Sequence, residues 1–152
     1  MGGLRVSPEA ALTDVDREEI GALILPGAGT WESGHDLVLG LATERLASGA
    51  VVAGICGATY GLARAGLLND REHTSNAAEY VAAAPGYAGS SQYREVRTAG
   101  DRGLITAPAT APVDFAKAVF EALEVFPQQV VDAWYGLYTT GERRFYDALV
   151  GA

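Results

Sequence analysis

The chain has 152 residues, of which 49% are hydrophobic, and a net charge of −8 from 11 basic and 19 acidic side chains. This length predicts one domain over residues 1–152, and the acidic balance argues against nucleic acid or an anionic membrane surface as a partner, because both require clustered Lys and Arg. No apolar run approaches the ~20 residues of a transmembrane helix, no apolar signal core opens the chain, and its one cysteine cannot form an intramolecular disulfide, which together predict a cytoplasmic protein.

The first third of the chain predicts a strand, a loop and a helix. Residues 22–26 predict a buried strand, which ends in a glycine-rich loop at residues 26–29. The helix after this loop would be capped by Ser33 or Asp36 and would end at Gly49.

A second strand is predicted at residues 51–55, where the side chains are apolar without alternation. That pattern is typical of a parallel strand covered on both faces. A helix would follow from Gly57 to Gly66. This order of elements predicts an α/β fold with a parallel sheet, in which the strand ends and the loops after them build the site.

The second half of the chain is less regular. A short helix is predicted at residues 77–84, and two strands at residues 92–98 and 103–107, joined by a turn at residues 99–102. A helix beginning at Pro112 and two later apolar stripes complete the chain.

The only cysteine, Cys56, lies where the second predicted strand turns into its helix. Gly54, Gly57 and Ala58 surround it, and small neighbours are typical of a tight elbow that lifts a nucleophilic side chain out of a sheet. A helix N-terminus favours the thiolate, which is the reactive form of cysteine. The alternative is a lone cysteine that packs as a small buried hydrophobe. The elbow context favours the nucleophile.

Backbone N–H groups are predicted to complete this site. Those of the loop at residues 26–29, through Gly29, and that of Gly57 would bind a developing oxyanion at Cys56. Otherwise the loop is a plain turn that uses glycine for positive φ.

The two histidines are candidate partners of different quality. His73 would either reach Cys56 or lie as a polar residue at a strand entrance, and His35 would be solvated at the start of a helix. Together with the cysteine they do not form a metal-ligand pattern, so we predict no metal and no cofactor.

Several motifs together resemble those of the DJ-1/PfpI family, in the class I glutamine-amidotransferase-like superfamily. They are L-I-L-P-G-A-G at residues 23–29 with Trp31, V-A-G-I-C-G-A-T at 52–59, G-L-A-R-A-G-L-L at 61–68, H-T-S-N at 73–76, and the stretches 104–107 and 111–116. The resemblance implies a flavodoxin-like three-layer α/β/α sandwich, usually dimeric, with a reactive elbow cysteine at Cys56. It also implies activities that range over amide, aldehyde and isocyanide chemistry, deglycation and oxidative-stress sensing.

Family members usually begin with a further strand-helix-strand unit, and the resemblance leads us to expect that this unit is missing here. In family members a segment like residues 3–8 follows that unit, whereas here it begins the sequence. The unit supplies an edge of the sheet and an acidic residue that hydrogen-bonds the cysteine. We therefore predict an N-terminally truncated sandwich, from a fragment or a late start, whose open parallel edge is covered by a partner chain or a tight homodimer.

The partner of the cysteine also departs from the family. Members place a histidine directly after the cysteine, where this chain has Gly57, or at the position of Asn76. His73 lies three residues before Asn76, an odd offset that turns a strand side chain to the opposite face. Glu32 is the remaining acid that would approach Cys56; its alternative is a solvated residue in the first turn of a helix.

Three functions are open at this point. The first is a cysteine-dependent enzyme, a hydrolase, lyase or amidotransferase-like protein, acting on a small carbonyl or amide substrate. In it Cys56 attacks, Gly57 and Gly29 bind the oxyanion, and Asn76 or His73 orients the substrate. The second is a redox sensor or regulatory binding module, in which the thiolate oxidises to sulfinic acid. The third is an inactive scaffold or truncated remnant.

Overall fold

A four-stranded sheet lies at the centre of the computed structural model, which describes residues 5–151. The strands are β1 (Ala22–Leu25), β2 (Val51–Ile55), β3 (Ala99–Asp101) and β4 (Leu104–Ala107), in the order β1-β2-β4-β3. β2 pairs in parallel with both β1 and β4, and β3 pairs antiparallel to β4. Because β2 is central, its carboxyl end opens between the ends of two parallel neighbours.

Within the part of the chain that the structure describes, six helices surround or extend this sheet, and they largely follow the predicted pattern. They are α1 (Asp36–Ala47), α2 (Ala58–Arg64), α3 (Ala78–Ala82), α4 (Pro112–Ala122), α5 (Gln128–Thr140) and α6 (Arg143–Val150), with short 3₁₀ turns at Arg17–Glu19 and Ser90–Gln92. Within residues 5–151, no helix is both long and apolar enough to cross a bilayer.

Two hydrophobic clusters cover opposite faces of the sheet. Val52 and Leu104 point into the cluster formed with α1, α2 and α3, while their neighbours Ala53 and Ile105 point into the cluster formed with α4. Successive strand residues face opposite sides, so this alternation gives three layers. The predicted mostly parallel α/β/α sandwich is confirmed. Helix α5 packs on α4, and α6 packs on α5.

The first strand is less buried than predicted. β1 is an edge strand among the described residues, and Ile24, on the face opposite to α1, is 45% exposed. The first two residues of the segment 3–8 lie outside the described residues. The predicted helix caps are also wrong: the residue before α1 is His35, in the left-handed region at φ 62, and no side chain caps the helix.

The strand predicted at residues 92–98 is wrong. That stretch holds the end of a 3₁₀ turn and an irregular segment, in which Tyr93 forms one isolated bridge with His73. The strand lies instead at Ala99–Asp101, inside the predicted turn, and the reversal occurs at Arg102 and Gly103, both at positive φ. Pairing with β4 therefore decides where this strand forms.

Candidate active site

Cys56 forms a sharp elbow between β2 and α2. Its φ is +59°, in the left-handed region that non-glycine residues rarely adopt. The Cys56 N–H donates to the Ala107 carbonyl at 2.9 Å, which ties the bend to the end of β4. The side chain is partly exposed. A strained backbone held by its surroundings in this way is typical of functional positions.

Three glycines let the loop at residues 26–29 and helix α2 approach this elbow closely. A Cβ on Gly27 would lie 2.8 Å from the Cβ of Cys56 and 3.2 Å from its Sγ. A Cβ on Gly57 would collide with the Ala28 carbonyl oxygen, and one on Gly54 would lie 2.6 Å from Leu62 Cδ1. Position 57 therefore has no room for a histidine side chain.

Trp31 holds the glycine loop against the elbow. Its ring is buried against Gly61 of α2, and its Nε1–H donates to the Pro26 carbonyl at 2.9 Å. Arg64 adds a hydrogen bond to the Trp31 carbonyl at 3.0 Å. Within the predicted loop at residues 26–29, the residue that touches Cys56 is Gly27, which sequence reasoning did not single out. The role of the Gly29 N–H as an oxyanion donor stays a prediction.

Asn76 is the polar side chain that reaches the sulfur. Its Nδ2 lies 3.6 Å from Sγ of Cys56 and donates to it. Its Oδ1 accepts from the Ala109 N–H at 2.8 Å. A backbone N–H can only donate, so this second bond fixes which end of the amide faces the sulfur.

His73 lies elsewhere. It is fully buried, with Nδ1 at 2.8 Å from the Arg71 carbonyl and Nε2 at 2.8 Å from the Tyr87 hydroxyl. Both ring nitrogens are thus engaged, and burial lowers the pKa of the imidazole. The structure does not bring His73 to Cys56, so the role proposed for it there is corrected to that of a buried structural contact. Residues 73–76 do not form the strand on which the odd-offset argument depends, because only His73 makes a bridge, an isolated one with Tyr93.

The other histidine is a surface residue. His35 is exposed, its Nε2 lies 2.9 Å from the Thr30 hydroxyl, and its ring packs on Trp31 with centroids 4.6 Å apart. Among residues 5–151, no group of three His, Cys, Asp or Glu side chains is placed to hold a metal ion.

Tyr80 on α3 lies in the electrostatic neighbourhood of Cys56, although the sequence did not single it out. Its ring packs against Tyr60 with centroids 5.3 Å apart. Burial raises the pKa of its phenol, and the charges of Cys56 and Glu32 raise it further. Glu32 itself is exposed. The position of Tyr80, four residues after Asn76 on the following helix, was the available signal. The phenol keeps its proton at neutral pH and can donate it in a hydrogen bond.

A polar groove of about 300 Å³ begins at Asn76. It lies between the segment that follows His73 and the loop after β4. Its walls carry hydroxyl, amide and charged groups, from Thr74, Ser75, Asn76, Tyr93, Glu95, Arg97 and Thr110 together with Val96 and Pro108. This is space for a small polar molecule beside the amide that contacts the sulfur.

Curated proteins similar to this chain carry protease names. YoaZ of Bacillus subtilis (strain 168), named an uncharacterized protease, is 36% identical over 152 residues, which are 99% of this chain and 72% of that protein. YdeA of the same organism, also named an uncharacterized protease, is 27% identical over 82% of this chain and 62% of its own length.

Solved structures similar to this chain share its fold. A ThiJ/PfpI family protein from Bacillus anthracis superposes with a TM-score of 0.94 at 37% identity, over 99% of this chain and 72% of its own. A DJ-1 superfamily protein from Agrobacterium tumefaciens superposes with a TM-score of 0.84 at 35% identity, over 92% of this chain and 75% of its own. The model of the DJ-1/PfpI family matches residues 1–122. With its elbow cysteine and flavodoxin-like sheet, the chain belongs to the DJ-1/PfpI family.

Proposed function

We propose that this protein is a cysteine-dependent enzyme acting on a small carbonyl or amide substrate, with Cys56 as its nucleophile. The observation that carries the proposal is the Asn76 amide 3.6 Å from the sulfur of a cysteine held at φ +59°. The Asn76 N–H is placed to donate to this sulfur. A neutral amide cannot accept the thiol proton, so the reaction depends on a thiolate that forms before the substrate arrives.

The proposed first step forms a sulfur–carbon bond. A lone pair of the Cys56 thiolate attacks the carbonyl carbon, and the π electrons of the C=O bond move to oxygen. The Gly57 N–H makes no hydrogen bond within residues 5–151, and it is the donor we assign to that oxyanion. With an amide, collapse of the tetrahedral adduct breaks the C–N bond, the amine leaves with a proton, and water hydrolyses the thioester. That proton comes from solvent, which reaches the partly exposed Cys56.

Selectivity for small polar substrates is supported by the groove beside Asn76. The Arg97 guanidinium, which lines this groove, is bound at 2.8 Å to Asp114, whereas Glu95 has no ion-pair partner within residues 5–151. The groove therefore presents hydroxyl groups and one uncompensated carboxylate. These groups suit a neutral, hydrogen-bonding molecule better than an anionic one.

Labelling and turnover test the proposal. Iodoacetamide in equimolar amount is expected to alkylate Cys56 faster than it alkylates N-acetylcysteine at pH 7, as followed by intact mass. A panel of aldehydes, amides and isocyanides is expected to include a substrate whose turnover is abolished in Cys56→Ser. The matched control is Ser91→Ala, a surface hydroxyl outside the site. No turnover on the panel, together with labelling no faster than that of N-acetylcysteine, contradicts the proposal.

A redox sensor is the second candidate, and one observation favours it. The side chain in contact with the sulfur is an amide rather than a base, while the sulfur stays partly exposed. Such a thiolate can be oxidised without a catalytic cycle. Mass spectrometry after mild peroxide distinguishes the two: a sensor gains two oxygens at Cys56 as sulfinic acid, and an unmodified cysteine excludes it.

We also propose that the protein forms a homodimer. The exposed Ile24 on the edge strand β1 supports a covered edge, because open edges promote uncontrolled pairing. Light scattering coupled to size-exclusion chromatography tests this, and a monodisperse monomer at micromolar concentration contradicts it.

A further inference from the structure

Two buried hydroxyls connect the cysteine elbow to the segment that carries Asn76. Thr59 Oγ1 lies 2.6 Å from the Cys56 carbonyl oxygen and 2.6 Å from Ser75 Oγ. Thr59 is fully buried, and Ser75 is 3% exposed. A carbonyl oxygen can only accept, so the single Thr59 proton goes to Cys56. The Ser75 hydroxyl must then donate to Thr59. The series of hydrogen bonds therefore runs in one direction, from Ser75 through Thr59 to the carbonyl of Cys56.

This series of hydrogen bonds joins two features of the site that lie 20 residues apart in sequence. At one end, Cys56 is held at φ +59°, a conformation that its surroundings must stabilise. At the other end, Ser75 directly precedes Asn76, whose amide donates to the sulfur. We propose that Thr59 and Ser75 are positioning residues that keep the Asn76 amide in contact with the Cys56 thiolate. The inference rests on the proposed function of Cys56 as the nucleophile.

The surrounding contacts support a positioning role. The Thr74 N–H donates to Thr106 Oγ1 at 2.9 Å, and the Thr74 hydroxyl donates to the Val96 carbonyl at 3.0 Å. These bonds attach the segment to β4 and to the loop before β3. Within residues 5–151, the only hydrogen bond that attaches the segment around Asn76 to the first turn of α2 is the one between Ser75 and Thr59. Loss of that bond leaves the segment folded but free to shift relative to the sulfur.

The test measures the rate of Cys56 alkylation by iodoacetamide from pH 5 to pH 10. Thr59→Val is expected to slow alkylation at pH 7 by about two- to tenfold, the range for one lost hydrogen bond, and to move the midpoint of the pH profile upward. Thr59→Ser keeps the hydroxyl and is expected to restore the rate. Thr43→Val is the matched control, because Thr43 makes the same hydroxyl-to-carbonyl bond, at 3.0 Å to Leu39, in α1.

A double-mutant cycle distinguishes positioning from a general loss of stability. If the two hydroxyls act through Asn76, Thr59→Val has little further effect in an Asn76→Ala background. An undiminished effect in that background overturns the inference. Ser75→Ala removes the hydroxyl at the other end of this series of hydrogen bonds, and it is combined with Asn76→Ala in the same way. The inference can therefore be tested even if Thr59→Val does not fold.

Failure of the proposed function gives a different result. A wild-type Cys56 that reacts no faster than N-acetylcysteine contradicts the nucleophile, and the pH midpoints of the variants still show whether the hydroxyls act. A fast wild-type Cys56 whose rate and midpoint are unchanged in both Thr59→Val and Ser75→Ala overturns the inference alone.

Discussion

The contact between Gly61 and Trp31 allows a sharp prediction about what holds the glycine loop on the active-site elbow. Gly61 lies inside α2, where alanine is ordinarily preferred by about 1 kcal/mol. A Cβ at this position would lie 2.6 Å from Cε3 of Trp31. Ordinary carbon contacts need 3.5 Å or more, so the ring would have to move by about 1 Å.

The Trp31 ring has little freedom to move. It is 5% exposed, and its Nε1–H is bound to the Pro26 carbonyl. Overpacking of this kind costs about 1–3 kcal/mol. Gly61→Ala is therefore expected to lose the gain in helix propensity and to leave the protein no more stable than the wild type, and up to about 2 kcal/mol less stable.

Gly40→Ala is the matched control. Gly40 also lies inside a helix, α1, but a Cβ there would meet nothing within 4 Å. It is expected to stabilise the protein by up to about 1 kcal/mol. The two variants should then differ by about 1–3 kcal/mol in urea unfolding, or roughly 2–12 °C in Tm for a chain of this size.

A second measurement connects the packing to the site. A displaced Trp31 moves the loop whose Gly27 lies against Cys56, so Gly61→Ala should also slow Cys56 alkylation by iodoacetamide. The reasoning is refuted if Gly61→Ala is as stable as Gly40→Ala and its cysteine reacts at the wild-type rate.

Three further predictions concern the elbow and its surroundings. Gly57→Ala is expected to lower Tm relative to Gly40→Ala and to slow the alkylation of Cys56, because its Cβ would collide with the carbonyl oxygen of Ala28. Asn76→Asp places a carboxylate 3.6 Å from the sulfur, and like charges at about this distance should slow alkylation at pH 7 by roughly five- to tenfold. Burial lowers the pKa of His73 below its usual 6.5. As the pH falls through 6.5, the unfolded chain therefore binds a proton at this imidazole that the folded chain does not bind. Stability should fall as pH drops below 6.5, and His73→Gln should reduce that slope while His35→Gln does not.

Each of these has a clear contrary result. A Gly57→Ala variant as stable and as reactive as the wild type would show that the loop yields without cost. Equal alkylation in wild type and Asn76→Asp would show that the amide does not influence the thiolate. A pH dependence of unfolding that is the same in His73→Gln and the wild type would show that the buried imidazole does not control it.

The elbow itself could be predicted from the sequence because its determinants are local. Val51–Ile55 is a short run of apolar and small residues that can only be covered on both faces, and it forms β2 with those bounds. Gly54 and Gly57 mark where other atoms approach the backbone, and the structure places Leu62 and the Ala28 carbonyl there. The positions of these two glycines around Cys56 therefore indicate, already in the sequence, where the backbone is closely approached in the structure.

The neighbours of the sulfur could not be predicted in the same way. Sequence reasoning proposed both Asn76 and His73 as partners and did not single out Gly27, whereas Asn76 and Gly27 make the contacts. The choice depends on how the segment is rotated, and that rotation is set by bonds to distant residues, such as the one between the Thr74 N–H and Thr106.

The same division explains the misplaced third strand. Residues 92–98 do not form the predicted strand, and β3 forms instead at Ala99–Asp101, because those residues find a partner in β4. The sequence alone determined the family, the strand-elbow-helix unit and the nucleophile candidate, since each depends on neighbouring residues. Only the tertiary structure decided that Asn76 reaches Cys56 and that both ring nitrogens of His73 are hydrogen-bonded elsewhere. The reason is that a contact between residues 20 positions apart depends on the direction that each side chain takes after packing.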